Sequence, residues 1–247
     1  MSASIGFLEA DWPAPPGIRA GTTLRRGGVS RPPFDSLNLG AHTTDDSDRV
    51  ETNRRRVCDA LELPADPAWL TQVHGITVAD ADRPIAGPAD ASVARHPNTV
   101  CAVLTADCLP VVFCDRAGTC WGAAHAGWRG LAAGVLEATI AQMPAPPDAL
   151  MAWLGPSIGA HNFEVGEDVK SAFSAAHAAD ASWFVDGRSV GKYLVDIYAL
   201  ARARLARAGV TAVYGGGLCT IDDATRFYSY RRAPQTGRMA TLTWSLR

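Results

Sequence analysis

Three short segments of this 247-residue chain gather side chains able to do chemistry: Thr71-Gln72-Val73-His74-Gly75, Thr105-Ala106-Asp107-Cys108-Leu109-Pro110 and His125-Ala126-Gly127-Trp128-Arg129-Gly130. Each places one nitrogen or sulfur donor, His74, Cys108 or His125, beside the end of an expected strand. Two imidazoles and a thiolate form a recognised catalytic zinc set, because three protein ligands leave the fourth tetrahedral position open to water or substrate. Their spacing matches no zinc finger. What raises them above background is coincidence, three donors at strand ends with Gly following two of them closely. The same residues also allow a metal-free scheme, in which Cys108 is a thiolate nucleophile activated by His125 or His74. Asp107 would then orient the base, although adjacent residues on an extended chain point opposite ways, and one histidine is left without a role. A strand-end histidine is commonly a hydrogen-bonded structural residue, and a buried cysteine is commonly core. Convergence after folding is therefore the deciding observation.

The other histidines carry less weight. His96 lies in a polar loop and His177 on an outer helical position, both expected in solvent, while His42 and His161 follow Gly-containing turns that could line a pocket. Arg25, Arg26, Arg54, Arg129, Arg231, Arg232 and Arg238 stand near turns, with Gly27-Gly28 and Thr236-Gly237 offering backbone amides. Such groups suit phosphate or another small anion, though each alone is ordinary surface charge. Neither a P-loop nor a dinucleotide-binding glycine fingerprint is present.

Around these segments the pattern predicts strands over 18–24, 69–73, 99–104, 109–114, 119–124, 149–154, 211–214, 227–230 and 239–244. Helices are predicted from Asp45 to before Pro64, and over 131–143, 166–179 and 193–208. Strands 99–104, 109–114 and 119–124 read as the centre of one sheet. In the first helix Asn53, Arg54, Arg55 and Arg56 cannot all share one face, so at least one of them turns inward or toward a site. Strands and helices without strict alternation imply an α+β layered fold, and no linker or repeat divides the chain.

Composition sets the outer limits. Apolar residues are 47% and charged residues 19%, ordinary globular usage. A formal charge of -2, from 23 basic and 25 acidic residues, argues against a nucleic-acid partner. No run is long enough for a membrane span, and the first residues lack the basic-then-apolar run of a secretion signal, so a cytoplasmic address is expected. Six cysteines without a C-x-x-C unit are expected as reduced thiols.

Taken together, these motifs resemble the laccase-domain family, described both as multicopper polyphenol oxidase and as purine nucleoside phosphorylase. The resemblance runs through residues 22–30, Ser36-Leu37-Asn38-Leu39-Gly40, the three donor segments, Gly155-Pro156-Ser157-Ile158-Gly159, Phe163-Glu164-Val165-Gly166, and Tyr228 to Arg232 with Thr236-Gly237-Arg238. It implies a single-domain α/β/β/α four-layer sandwich with mixed sheets, often monomeric. Zinc, with copper as the alternative metal, would be held by His74, Cys108 and His125, which would also be the catalytic residues. The implied reaction is phosphorolysis of adenosine, inosine and S-methyl-5'-thioadenosine, accompanied by adenosine deamination. Asn38 and Arg54 become candidates for contacts to substrate or phosphate. Ala160-His161-Asn162 departs from the family pattern and leaves substrate selectivity open. The competing readings are a Cys-His hydrolase or deamidase linked to peptidoglycan editing, a polyphenol oxidase, and a non-catalytic nucleoside sensor. Multicopper oxidation needs many more ligands than three.

Overall fold

The structure, a computed structural model, describes residues 4–246. A four-stranded antiparallel sheet runs in the order Phe7–Glu9 (β1), Ile18–Thr23 (β2), Met239–Ser245 (β13), Val100–Thr105 (β5). A six-stranded mixed sheet runs Ala212–Gly215 (β12), Leu150–Leu154 (β8), Leu109–Asp115 (β6), Trp121–Ala126 (β7), Ala91–Ala94 (β4), Val78–Asp80 (β3), with β12–β8 and β3–β4 the parallel pairs. Phe184–Asp186 (β10), Lys192–Val195 (β11) and Glu164–Gly166 (β9) form a small third sheet.

Period-two alternation explains the layering. From β6, Val112 and Cys114 enter a core shared with Val103 of β5, Trp121 of β7 and Trp153 of β8, which lies between the two large sheets. Leu109, Val111 and Phe113 face the other way, toward helices Trp128–Ala133 (α2), Val135–Gln142 (α3), Glu167–Ala176 (α4) and Ile197–Arg207 (α5). On the far side, Val100, Ala102 and Leu104 of β5 pack with Val57 of helix Ser47–Ala60 (α1). The result is the expected α/β/β/α order. Strands buried on both faces read as unbroken apolar runs, which is why β5 and β6 stood out in the sequence.

Several local expectations fail for identifiable reasons. β5 shares no sheet with β6 and β7, because it pairs with the distant β13 while residues 106–108 carry the chain across to the other sheet. The 69–73 segment is not a strand. Beyond a single bridge at Ala68, the Gln72 side chain replaces the backbone ladder, donating to Leu104 O at 2.9 Å and accepting from Leu104 N at 2.7 Å. The 131–143 helix begins earlier, at Trp128, and breaks at Gly134, whose φ of 105° is left-handed. The 193–208 helix starts only after Asp196, which caps Ala199 N; the residues before it form β11. The 166–179 helix stops at Ala176, and 227–230 is irregular, though Phe227 and Tyr228 are fully buried.

The β6–β7 hairpin matters most for the site, and Asp115 closes it. Its carboxylate accepts from Thr119 N at 2.7 Å, Cys120 N at 3.0 Å and the Thr119 hydroxyl at 2.7 Å. Burial pushes this carboxyl up, but those donors outweigh it and hold the group below its ordinary value. A depressed folded-state value means the stabilisation is present above the unfolded value of about 3.9 and is lost as pH falls through the folded one. Asp115→Ala is expected to cost about 2–3 kcal/mol at neutral pH, since the buried Cys120 N–H, the part-buried Thr119 N–H and the Thr119 hydroxyl all lose their acceptor. Urea melts should show the gap between variant and wild type shrinking below about pH 4.

Candidate metal centre and cleft

Register brings Cys108 and His125 together. Leu109 pairs with Ala126 and Pro110 with His125 across the β6–β7 hairpin, so the residue just before β6 stands beside the end of β7. On the other side of β7, Ala91 pairs with Ala124, which puts Asp90 opposite His125. Asp90 is fully buried and binds His125 twice: its carbonyl accepts from His125 N at 2.7 Å, and its carboxylate takes His125 Nδ1 at 2.8 Å. The same carboxylate accepts from Val73 N, His74 N and Gly75 N at 3.1, 2.9 and 2.7 Å. One buried acid therefore joins the loop carrying His74 to the strand carrying His125. Within that loop His74 has a φ of 61°, a left-handed conformation uncommon outside glycine.

The convergence is close. His74 Nε2 lies 3.9 Å from Cys108 Sγ, and donor atoms of His74, Cys108 and His125 all lie within 4.8 Å of one another. Ligands on one tetrahedral zinc stand about 3.3–3.7 Å apart, so small side-chain shifts would complete the set. With Nδ1 of His125 held by Asp90, its Nε2 is left for the centre, a common carboxylate–histidine support for a ligand. Gly127 shows that space is kept there. A Cβ at this position would lie 3.0 Å from Cys108 Sγ, 3.0 Å from His74 Cδ2 and 3.4 Å from His125 Nε2. Burial pushes the Cys108 thiol up, yet His125 and His74 beside it bring it down to about 6. His125 moves the opposite way: burial lowers it, but the sulfur and Asp90 raise it to about 9. The residues present fit a divalent metal ion, and they would hold it as thiolate and imidazoles.

Asp107 does not face this centre. It sits at a φ of 90° and turns its buried carboxylate to the Ser229 hydroxyl at 3.0 Å, to Arg231 N at 2.7 Å and to the Thr220 hydroxyl. It shapes the turn that presents Cys108 and orients no base, a correction to the expectation from sequence.

The donors line a cleft of about 520 Å³. Trp128, Phe163, Ile158 and Tyr230 supply apolar wall, and Arg129, Arg231 and Arg238 supply positive charge. Of the seven arginines singled out in the sequence, these three line the cleft. Arg25 and Arg232 donate to backbone carbonyls elsewhere. His42 also lines the cleft, where burial and the charges of Arg238 and Arg54 push its imidazole down toward the neutral form.

Asn38 and Arg54 do not line the cleft. Asn38 is fully buried, with its amide donating to Thr43 Oγ1 and Asp45 and its oxygen accepting from Gly40 N and Arg238 N. Arg54 donates to Leu39 O and lies 4.2 Å over the Trp69 ring. Their polar groups are engaged by the chain itself, and they position Arg238 and the 38–40 loop. The inward residue of the Asn53 to Arg56 run is Asn53, which ties Ser30, Ser36 and Asn38 to α1. Sequence reasoning missed Asp90. Its only signal was a lone acid placed just before an apolar strand.

Comparison with known proteins places the chain in a family. Residues 19–246 match the family described as multi-copper polyphenol oxidoreductase laccase. The chain belongs to this family. Among laccase-family relatives, Purine nucleoside phosphorylase PA4543 of Pseudomonas aeruginosa is 57% identical, over 96% of this chain and 98% of its own. Purine nucleoside phosphorylase YfiH of Escherichia coli is 53% identical, over 96% and 98%. The crystal structure of Neisseria meningitidis protein NMB0706 superposes with a TM-score of 0.93 at 51% identity, covering 97% of this chain and 99% of that one. No helix among the described residues is long and apolar enough to cross a membrane.

Proposed function

We propose that this laccase-family chain is a zinc-dependent purine nucleoside phosphorylase, acting on adenosine, inosine and S-methyl-5'-thioadenosine and also deaminating adenosine. The observation that carries the reading is one cleft holding the His74, Cys108 and His125 donors, three arginines and aromatic wall. The names of the 57% and 53% identical relatives support the same activity.

Bound zinc would supply a Lewis acid and bring the pKa of water toward about 7, chemistry suited to deamination at a purine ring. The chain's own residues account for the phosphorolytic half. Arg231 and Arg238 attract phosphate, and Arg129, stacked 4.4 Å from the Trp128 ring, adds a third positive charge at the wall. Orientation is the main requirement, because phosphate must meet the sugar carbon in line while the purine departs. Arg231 is well placed for that. Its backbone N–H is held by Asp107 and its guanidinium donates to Glu164 O at 3.0 Å. Trp128, Phe163 and Tyr230 offer flat apolar surface for a base, and Tyr230 is 52% exposed and free to be covered by ligand.

Zinc is favoured over copper because one cysteine and two histidines suit a tetrahedral borderline ion, whereas multicopper oxidation needs more ligands than this cleft offers. A second reading draws on the alignment of Cys108, His125 and Asp90, which has the order of a nucleophile, a base and an orienting acid. The two are separated by product analysis. With inosine, sugar 1-phosphate should form only when phosphate is present, and a chelator should abolish it. Activity that survives chelation and is lost to iodoacetamide would establish the thiol nucleophile and overturn the zinc reading.

A further inference from the structure

The sequence placed His161 in a turn that could line a pocket. It lies instead in a second donor cluster. His161, Cys219 and Asp222 each offer one ligand atom, and these atoms lie within 4.8 Å of one another. His161 Nε2 stands 2.7 Å from Asp222 Oδ2. The surroundings are organised about the sulfur. Gly159 N–H and the Asn162 amide both point at Cys219 Sγ, at 3.2 and 3.4 Å, and the Asn162 amide also donates to Asp222 Oδ1 at 2.7 Å. Asn162 thus orients two of the three donors from behind, the supporting arrangement that steadies metal ligands. Gly159 leaves room for the group to close. A Cβ there would lie 3.1 Å from Cys219 Sγ and 3.3 Å from His161 Cε1.

We propose that His161, Cys219 and Asp222 bind a second divalent cation of the zinc class at the cleft margin, where it clamps the 157–163 turn to the 219–222 loop. One sulfur, one imidazole nitrogen and one carboxylate oxygen are a borderline donor set that selects zinc over magnesium or calcium. The ion would take the place of the proton between His161 Nε2 and Asp222 Oδ2, with water filling the remaining position. The clamped turn matters to the cleft because Ile158 and Phe163, on either side of His161, form part of its wall. The loop on the other side is tied to the first centre. Thr220, next to Cys219, donates its N–H to Ser157 O at 2.9 Å and its hydroxyl to the carboxylate of Asp107, the neighbour of Cys108.

The test counts zinc with the first centre removed, so it does not depend on the reaction proposed above. In Cys108→Ala protein, titration against a chromophoric chelator should find about one zinc per chain, with a rise in melting temperature on zinc addition. Adding His161→Ala and Asp222→Asn should remove both the bound zinc and the thermal shift. These side chains are 68% and 51% exposed, so the fold should hold, as circular dichroism would verify. Zinc that is absent from Cys108→Ala, or that persists after the two surface changes, would overturn the proposal.

Discussion

Cys108→Ala is expected to lose the cleft metal and at least about 100-fold of nucleoside phosphorolysis, since even outer partners of a ligand are commonly worth 10–100-fold in metal affinity or activity. Cys108 offers the set's single sulfur, and it is flanked by His74 at 3.9 Å and by the buried His125. Without it two imidazoles remain, too few for a tightly held zinc. The fold should survive, because Cys108 is half-buried and lines the cleft, where water can meet the His125 ring nitrogen that the sulfur leaves. Metal content should be read in a background that carries both His161→Ala and Asp222→Asn, so that the second cluster does not contribute. Activity lost with cleft metal retained would instead identify a nucleophile.

Asp90→Ala is expected to be the most damaging change for stability. It strips the acceptor from Val73 N, His74 N, Gly75 N and His125 Nδ1 together. Leaving the buried His125 donor and three part-buried loop N–H groups unmatched should cost about 3–5 kcal/mol, a large share of a domain's net stability. Asp90→Asn separates the two roles of this residue. Its remaining carbonyl oxygen keeps part of the loop, so the protein should fold, while an amide facing His125 no longer supports the imidazole as a carboxylate does. Zinc affinity is then expected to fall about 10–100-fold, measured by chelator competition on folded protein. An Asp90→Ala protein with wild-type melting and wild-type metal affinity would show that this acid joins nothing.

The two effects should couple. Asp90 acts on the metal set only through His125 and the His74 loop, so Asp90→Asn should have little further effect on phosphorolysis once Cys108 is alanine. Independent losses would add, whereas losses through one shared centre do not.

The three donor segments, the apolar strands beside them and the layered class are legible in the chain's own residues, because each of these is written in a short window. β6 and β7 are unbroken apolar runs with a tight turn between them, and that local hairpin already brings Cys108 next to His125. The laccase-family motifs carried the α/β/β/α architecture, which the two large sheets and their helical covers display. Which sheet β5 joins emerges on folding alone, since its partner β13 lies at the other end of the chain and pairing between remote strands leaves no local pattern. The tertiary structure also supplies the partners of Asn38 and Arg54, which bond to Thr43, Asp45 and Leu39 O outside the cleft lining, because residue type shows what a side chain can bond but not which neighbours will be there. Asp90 is the clearest case. Nothing near it in sequence signals four hydrogen bonds, and its role exists only once β4 lies beside β7 and the His74 loop folds over both.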